Sequence, residues 1–175
     1  MNSYARNIAS RVASGELQII DEFKGEFTWL SNFYQHYSME QTVEHLFQAG
    51  KVYDQPRLQH EILLAKTPGK AKELGRKVDL PADWDQSRRD NVMERAVMWK
   101  FDRPGLREWL LATGEIPLIE GNYWHDNYWG DCFCSRCKDI VGVNKLGLTL
   151  MKVRSKLRRW SNESRDISSA DGRGA

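Results

Sequence analysis

Glu44, Gln48 and Lys51 recur at i, i+4 and i+7. At about 100° per residue, that spacing gathers a carboxylate, an amide and an ammonium on one side of a helix. Thr42 just ahead is a capping residue, and Val43, Leu46, Phe47, Gly50 and Tyr53 form a separate packing side. Two readings of the polar stripe stand. Periodicity alone favours a solvent face behind a capping box. The alternative points all three groups into one cleft, where a carboxylate kept ionised by the helix start stabilises a developing oxocarbenium ion or activates water.

Three other places have residue types suited to chemistry. Lys100 falls on the apolar side of a predicted helix with Met93, Ala96, Val97 and Phe101. Such a lysine usually snorkels; a desolvated one is a phosphate ligand or an amine nucleophile. The stretch Asn122–Asp131 holds the rings Tyr123, Trp124, Tyr128 and Trp129 with the carboxylates Asp126 and Asp131. It reads either as a packed loop turned by Asp126, or as a stacking wall for a flat base with Asp126 aimed at a sugar. Cys132, Cys134 and Cys137 supply three thiols where a structural zinc wants four ligands. His125 or Asp131 would complete the set. The expectation adopted is free thiols and no cofactor, with structural zinc as the alternative. No Gly-rich phosphate loop, HExxH helix or nucleophile elbow occurs.

The elements that must position these groups are mostly helical. Helices are predicted over 2–13, from Thr42, over 57–65, over 69–74 with Pro68 just inside, over 85–101, over 105–112 and from Asn144. The last presents Leu146, Leu150, Val153, Leu157 and Trp160 as a buried stripe. Gln18–Phe23 and Ile116–Glu120 read as short strands. A long aromatic, Cys- and Gly-bearing loop covers 121–143, a length that is usually functional or disordered. The fold class is therefore mainly α, a multihelical single domain with one or two short β-strands. It extends over 1–160, and the polar run 161–175 is read as a disordered tail.

Composition narrows the classes further. Lys plus Arg number 26 against 24 Asp plus Glu, a net charge of +2, so overall charge gives no argument for nucleic-acid binding. The basic run Lys152–Arg159 reads as a solvated helix face, or more sharply as a landing strip for phosphates. Nothing resembles a signal peptide or a membrane span, so the expected location is cytoplasmic with no membrane partner. Three crowded cysteines argue against a disulfide framework. Several of the seven Trp are expected to line a pocket.

A series of short motifs runs through the chain in order. It comprises Leu30-Ser31-Asn32-Phe33, Thr42-Val43-Glu44-His45 with Phe47-Gln48-Ala49 and Lys51, and Thr67-Pro68-Gly69-Lys70-Ala71-Lys72 with Gly75-Arg76. It continues through Asp83-Trp84, Val92-Met93, Lys100-Phe101, Leu118-Ile119-Glu120-Gly121-Asn122, Trp129-Gly130, Gly142-x-Asn144-x-Leu146-Gly147 and Leu150-Met151-x-Val153-Arg154. No single piece is specific, but the ordered series, covering about residues 19–157, resembles the YbiA-like (NADAR) family.

The resemblance implies a mainly helical fold and N-glycosidase activity with no metal in the chemistry. Family activities include hydrolysis of phosphorylated riboflavin-pathway intermediates and removal of ADP-ribose from guanine. It implies Glu44 as the acid–base or cation-stabilising carboxylate, and Asp126 and Trp129 as its partners across the pocket. Lys51 becomes the nucleophile if an amine–sugar adduct forms. Asn32, Phe33, Gln48, Arg76, Trp84, Lys100 and Asn144 become substrate-contacting positions.

The expected partner is an ADP-ribosylated nucleobase, in nucleic acid, or a phosphorylated nucleoside-like small molecule. Removal of ADP-ribose from guanine in nucleic acid is the first expectation, and hydrolysis of riboflavin intermediates is the alternative. A non-catalytic ADP-ribose or NAD sensor and a zinc-ordered interaction module are the readings from other classes. Two departures from the family pattern stand out. Gln41 occupies a position where the family often has proline, and the expected hairpin over 34–41 is short.

Overall fold

The computed structural model describes the backbone of residues 1–171 and the side chains of residues 1–163. Its helices are α1 (Ser3–Ala13), α2 (Val43–Ala49), α3 (Pro56–Leu63), α4 (Pro68–Gly75), α5 (Gln86–Phe101), α6 (Pro104–Ala112) and α7 (Lys145–Asp171). Local chemistry sets most of their starts. Asn2 caps α1 by accepting from Ala5 N, Thr67 caps α4 through Lys70 N, and Asp85 caps α5 through Arg88 N. Pro stands in the first turn of α3, α4 and α6, where its missing N–H costs nothing.

The core sits where α5 packs on α7 and α2 packs on α5, with α1 laid against α6. Ile8, Leu30, Met93, Phe101, Leu106, Leu110, Leu118, Leu150 and Leu157 are fully or almost fully buried there. A smaller apolar cluster of Ala49, Val52, Ile62 and Ala71 ties α2 to α3 and α4. The stripe expected on the last helix is buried except at Trp160, which is exposed. Trp160 is the stripe's last member and lines a surface hollow with Met98 and Trp99 of α5.

Strand content is smaller than the sequence suggests. Gln18–Phe23 and Ile116–Glu120 meet only in a single parallel bridge, Ile20 to Leu118. Pro117 has no N–H to donate, so the pairing cannot extend back towards Gln18, and on the other side Gly121 N turns to the Asp21 carbonyl. The named strands are instead β1 (Gly121–Asn122) and β2 (Asp131–Cys132), two residues each and parallel. No strand forms over 34–41 among the described residues, where the expected hairpin is irregular chain with one turn closed by Met39 N donating to the His36 carbonyl. The disordered tail expected from Ser161 meets a helix that continues to Asp171. Once earlier turns exist, each further residue adds a hydrogen bond without a new nucleus. Residues 172–175 lie outside the described residues.

Candidate active site

A cleft of about 720 Å³ opens between α2, α4 and the loop 120–130. Its floor is α2. Thr42 accepts from His45 N, while the His45 ring accepts from Thr42 N and also reaches the Ala65 carbonyl at 2.9 Å. This cap fixes the first turn, and Glu44 N donates to the Asn32 carbonyl at 3.1 Å. The polar stripe is therefore not a solvent face. Glu44 is 5% exposed and Gln48 is 3% exposed, although both are polar.

Gln48 Nε2 donates to Glu44 Oε1 at 2.7 Å, so the amide holds the carboxylate. Burial pushes the Glu44 carboxyl above its ordinary value, opposed by that hydrogen bond and by Lys72 and Lys51. Desolvation thus outweighs the helix start that was expected to keep Glu44 ionised. Gly75 is needed beside this pair, since a Cβ there would overlap Gln48 Oε1.

Cations line one wall. Lys51 Nζ donates to the Gly75 carbonyl at 2.9 Å, and burial lowers its pKa, with Glu44 pulling it back up. Lys72 and Arg76 join it from α4, with Lys72 Nζ 5.3 Å from the Phe33 ring centroid. Phe33 is 40% exposed and so offers a ring face at the rim.

The opposite wall is the loop. Asp126 Oδ1 accepts from Tyr128 N at 3.2 Å and Trp129 N at 2.9 Å, the turn-forming role expected of it, while Asp126 also lines the cleft. Trp129 packs edge-on to Phe47 with centroids 5.2 Å apart. Asn122 clamps the turn from below, donating to the Asp126 carbonyl at 2.8 Å and accepting from Trp124 N and Asp126 N. Gly130 lets this loop lie against the Glu120 carbonyl, where a side chain would collide.

Of the positions expected to contact substrate, Asn32, Phe33, Gln48, Arg76 and Trp129 line the cleft together with Glu44, Lys51 and Asp126. Three do not. Lys100 is fully buried, neither snorkelling nor in the cleft, and its Nζ donates to the Ser31 carbonyl at 2.8 Å. Burial lowers its pKa to about 7. Its place is under the backbone that presents Asn32. Trp84 packs behind Phe47 at 5.9 Å and supports that ring. Asn144, at φ +52°, accepts from Glu120 N at 3.0 Å and donates to the Leu118 carbonyl at 2.9 Å, so it positions Glu120.

Glu120 is the main residue that sequence reasoning missed as a site group. It lines the cleft, and burial together with nearby Asp126 raises its pKa to about 7. Its Oε2 is buried with no hydrogen-bond partner among the described residues, as are Asn32 Oδ1 and Gln48 Oε1. Three unpartnered buried acceptors around one cleft are expensive unless something donates to them. The only signal for Glu120 was an acid inside an apolar strand-like run. Lys72 and Trp124 also line the cleft unassigned.

Most of the basic run of the last helix is engaged within the protein. Lys152 and Lys156 pair with Glu94 at 2.6 and 2.5 Å, Arg158 pairs with Glu115, and Arg154 is buried against Thr113 and the Ile116 carbonyl. No helix among the described residues is long and apolar enough to cross a membrane.

Comparison with known proteins places this site among relatives. Residues 20–158 match the NADAR domain model. The chain is 39% identical over 122 residues to N-glycosidase Npun_R5314 of Nostoc punctiforme, covering 67% of this chain and 74% of that protein. It is 36% identical over 119 residues to N-glycosidase YbiA of Escherichia coli, covering 66% of this chain and 69% of that protein. A third relative is the chloroplastic riboflavin biosynthesis protein PYRR of Zea mays, 32% identical over 174 residues and 93% of this chain. The match spans only 25% of that longer protein. The NMR structure of E. coli YbiA superimposes with a TM-score of 0.67 at 31% identity, covering 83% of this chain and 89% of that one.

Proposed function

Because the chain belongs to the NADAR domain family, we propose that it is an N-glycosidase that hydrolyses the bond between a nitrogenous base and a phosphorylated ribose. The observation that carries this is the buried Glu44–Gln48 pair on the floor of a cleft with cations on one wall and carboxylates and rings on the other. Breaking an N-glycosyl bond develops positive charge on the sugar, and a carboxylate held in a poorly hydrated site stabilises it. The leaving nitrogen needs a proton as the C–N bond opens. Water adds to the anomeric carbon and gives up a proton in turn.

Glu44 is the carboxylate nearest this role, oriented by Gln48. Glu120, its pKa raised to about 7 by burial, is suited to exchange a proton with the base or the water near neutral pH. Asp126 and Trp129 share its wall of the cleft, the loop 120–130. Lys51, Lys72 and Arg76 supply the anchor for phosphate. Phe33 and Trp124, both exposed at the rim, offer faces for a flat base.

A small phosphorylated nucleoside-like compound fits this arrangement best, since all these groups lie in one cleft. The names of the N-glycosidase and riboflavin relatives support that class. A second reading, removal of ADP-ribose from guanine, is favoured by one observation: three cations on one wall suit a pyrophosphate better than a single phosphate.

Both are tested by incubating the protein with phosphorylated pyrimidine intermediates of riboflavin synthesis and, in parallel, with guanine-ADP-ribosylated oligonucleotide, followed by mass spectrometry. Free base plus a ribose phosphate is expected from the first. Release of ADP-ribose from the second alone would replace the first reading with the second. Tight ligand binding without product from either would instead make the protein a sensor. The Glu44→Gln protein is expected to lose about 10²–10⁴ in kcat. Full activity in that variant would remove Glu44 from the reaction.

A further inference from the structure

We propose that His125, Cys132, Cys134 and Cys137 bind one zinc ion, and that this ion holds in shape the loop carrying Asp126 and Trp129 into the cleft. The zinc site stands on its own geometry. Its positioning role rests on the active-site reading above.

The four ligand atoms all lie within 4.8 Å of one another. His125 Nδ1 is 3.3 Å from Cys134 Sγ, 3.3 Å from Cys137 Sγ and 4.0 Å from Cys132 Sγ. Zinc bound at about 2.3 Å to sulfur and about 2.0–2.1 Å to nitrogen in a tetrahedron sets its ligands roughly 3.5–3.8 Å apart. The His125 distances of 3.3–4.0 Å bracket that spacing, and no pair in the cluster exceeds 4.8 Å. Three thiolates and one imidazole are a recurrent structural zinc set, and soft sulfur ligands disfavour magnesium and calcium. All three cysteines are free, so no disulfide competes for the sulfurs.

The surrounding chain is built to converge on this point. Cys137 N donates to the Cys134 carbonyl at 3.0 Å, a tight turn that points both thiols to one side. Asn127 accepts from Cys132 N at 3.0 Å through Oδ1 and reaches Cys137 Sγ at 3.4 Å through Nδ2. One side chain thus orients two ligand residues, as outer partners of metal ligands do. His125 takes a left-handed φ of +67°, which a non-glycine residue adopts only when its surroundings require it. Here that backbone turns the exposed imidazole back onto the thiols. Arg136 now contacts His125 Nε2. With Nδ1 on the metal, Nε2 carries the ring proton, so the exposed Arg136 side chain swings away.

The clip spans the turn that matters. Between His125 and Cys132 lie Asp126, whose Oδ1 holds Tyr128 N and Trp129 N, and Gly130, which packs on the Glu120 carbonyl. Closing this loop through a metal restricts it far more than β1 and β2 do at two residues each.

The test uses full-length protein carrying no histidine tag, with elemental analysis as the first readout. About one zinc per chain is expected, falling at least tenfold in Cys134→Ser and in Cys137→Ser. Cobalt substitution should give the ligand-field bands of a tetrahedral thiolate site. Hydrogen exchange across 123–137 should speed up on zinc removal, while α5 and α7 keep their protection. Because Cys134 is only half-buried, its serine variant keeps the test open if Cys137→Ser misfolds. Reduced wild-type protein that holds no zinc even after titration would overturn the site, as would zinc retained in both variants. Zinc-bound and zinc-free protein with the same loop exchange would overturn the positioning role. Zinc bound to a protein with no glycosidase activity would uphold the site and sink the proposed function instead. Full activity in a protein shown to bind no zinc would do the reverse.

Discussion

Glu44 draws its chemistry from burial more than from the helix start that bears it. A helix N-terminus favours an ionised carboxylate by a few tenths to about 1 kcal/mol. Desolvation wins here, and the pKa moves up. Glu120 moves the same way, from 4.5 to about 7, and Lys100 moves down from 10.5 to about 7. These shifts make stability depend on pH in opposite senses. Between 4.5 and 7 the folded chain holds a proton on Glu120 that the unfolded chain has lost, so this group's contribution falls as pH rises. Between 7 and 10.5 the unfolded chain keeps a proton that folded Lys100 has released, so that contribution rises with pH. Lys100→Met should therefore gain most over wild type below pH 7 and lose that gain as pH rises towards 10.5. Melting temperatures across that window give the comparison, and a gap independent of pH would refute a costly buried ammonium. Lys51 is half-buried with its pKa lowered, which suits an amine nucleophile as well as a phosphate ligand. Direct attack by water predicts no borohydride-trapped adduct during turnover. An adduct at Lys51, absent in Lys51→Arg, would transfer the reaction to a Schiff base.

At the scale of elements, the site depends on how closely α4 approaches α2. Gly75 closes α4 where Gln48 needs room, and its carbonyl takes the Lys51 ammonium. Gly75→Ala should push Gln48 off Glu44, cost about 1–3 kcal/mol of stability by overpacking, and lower kcat more than it raises KM. Denaturant melts with paired kinetics separate the effects, and a variant of reduced stability but unchanged kcat would show that Gln48 does not orient Glu44. The helix starts that frame this site were legible because Thr42, Thr67 and Asp85 announce themselves locally. The burial of the Glu44 stripe was not, because what covers it comes from α4 and from the loop 120–130, distant in sequence. The same distance hid the roles of Lys100 and Asn144. Each side chain has the type of a ligand contact, yet each spends its hydrogen bonds on backbone groups of remote segments. The two expected strands pair only at Ile20 and Leu118, cut back on one side by Pro117 and on the other by the turn of Gly121 N to the Asp21 carbonyl, which periodicity does not weigh.

At the scale of the whole molecule, the distribution of charge decides what size of substrate the cleft serves. A net charge of +2 gives little long-range pull on a polyanion. In the densest basic run, on α7, Lys152, Lys156 and Arg158 are held by Glu94 and Glu115, and Arg154 is buried. The cations that line the cleft are Lys51, Lys72 and Arg76. A ligand held by these three alone should show a slope of log affinity against log salt no steeper than about −2, at roughly 0.7 counterion per contact on a single strand. An enzyme built around nucleic acid would add contacts along the strand and steepen that slope. Comparing kcat/KM for a modified mononucleotide with that for the same base in a long oligonucleotide, across a salt series, separates the two. Equal values and equal slopes are expected, because Lys152, Lys156 and Arg158 of α7 are engaged by Glu94 and Glu115. A preference for the oligonucleotide that grows as salt falls would mean that Glu94 and Glu115 release their partners on binding, and would make nucleic acid the substrate.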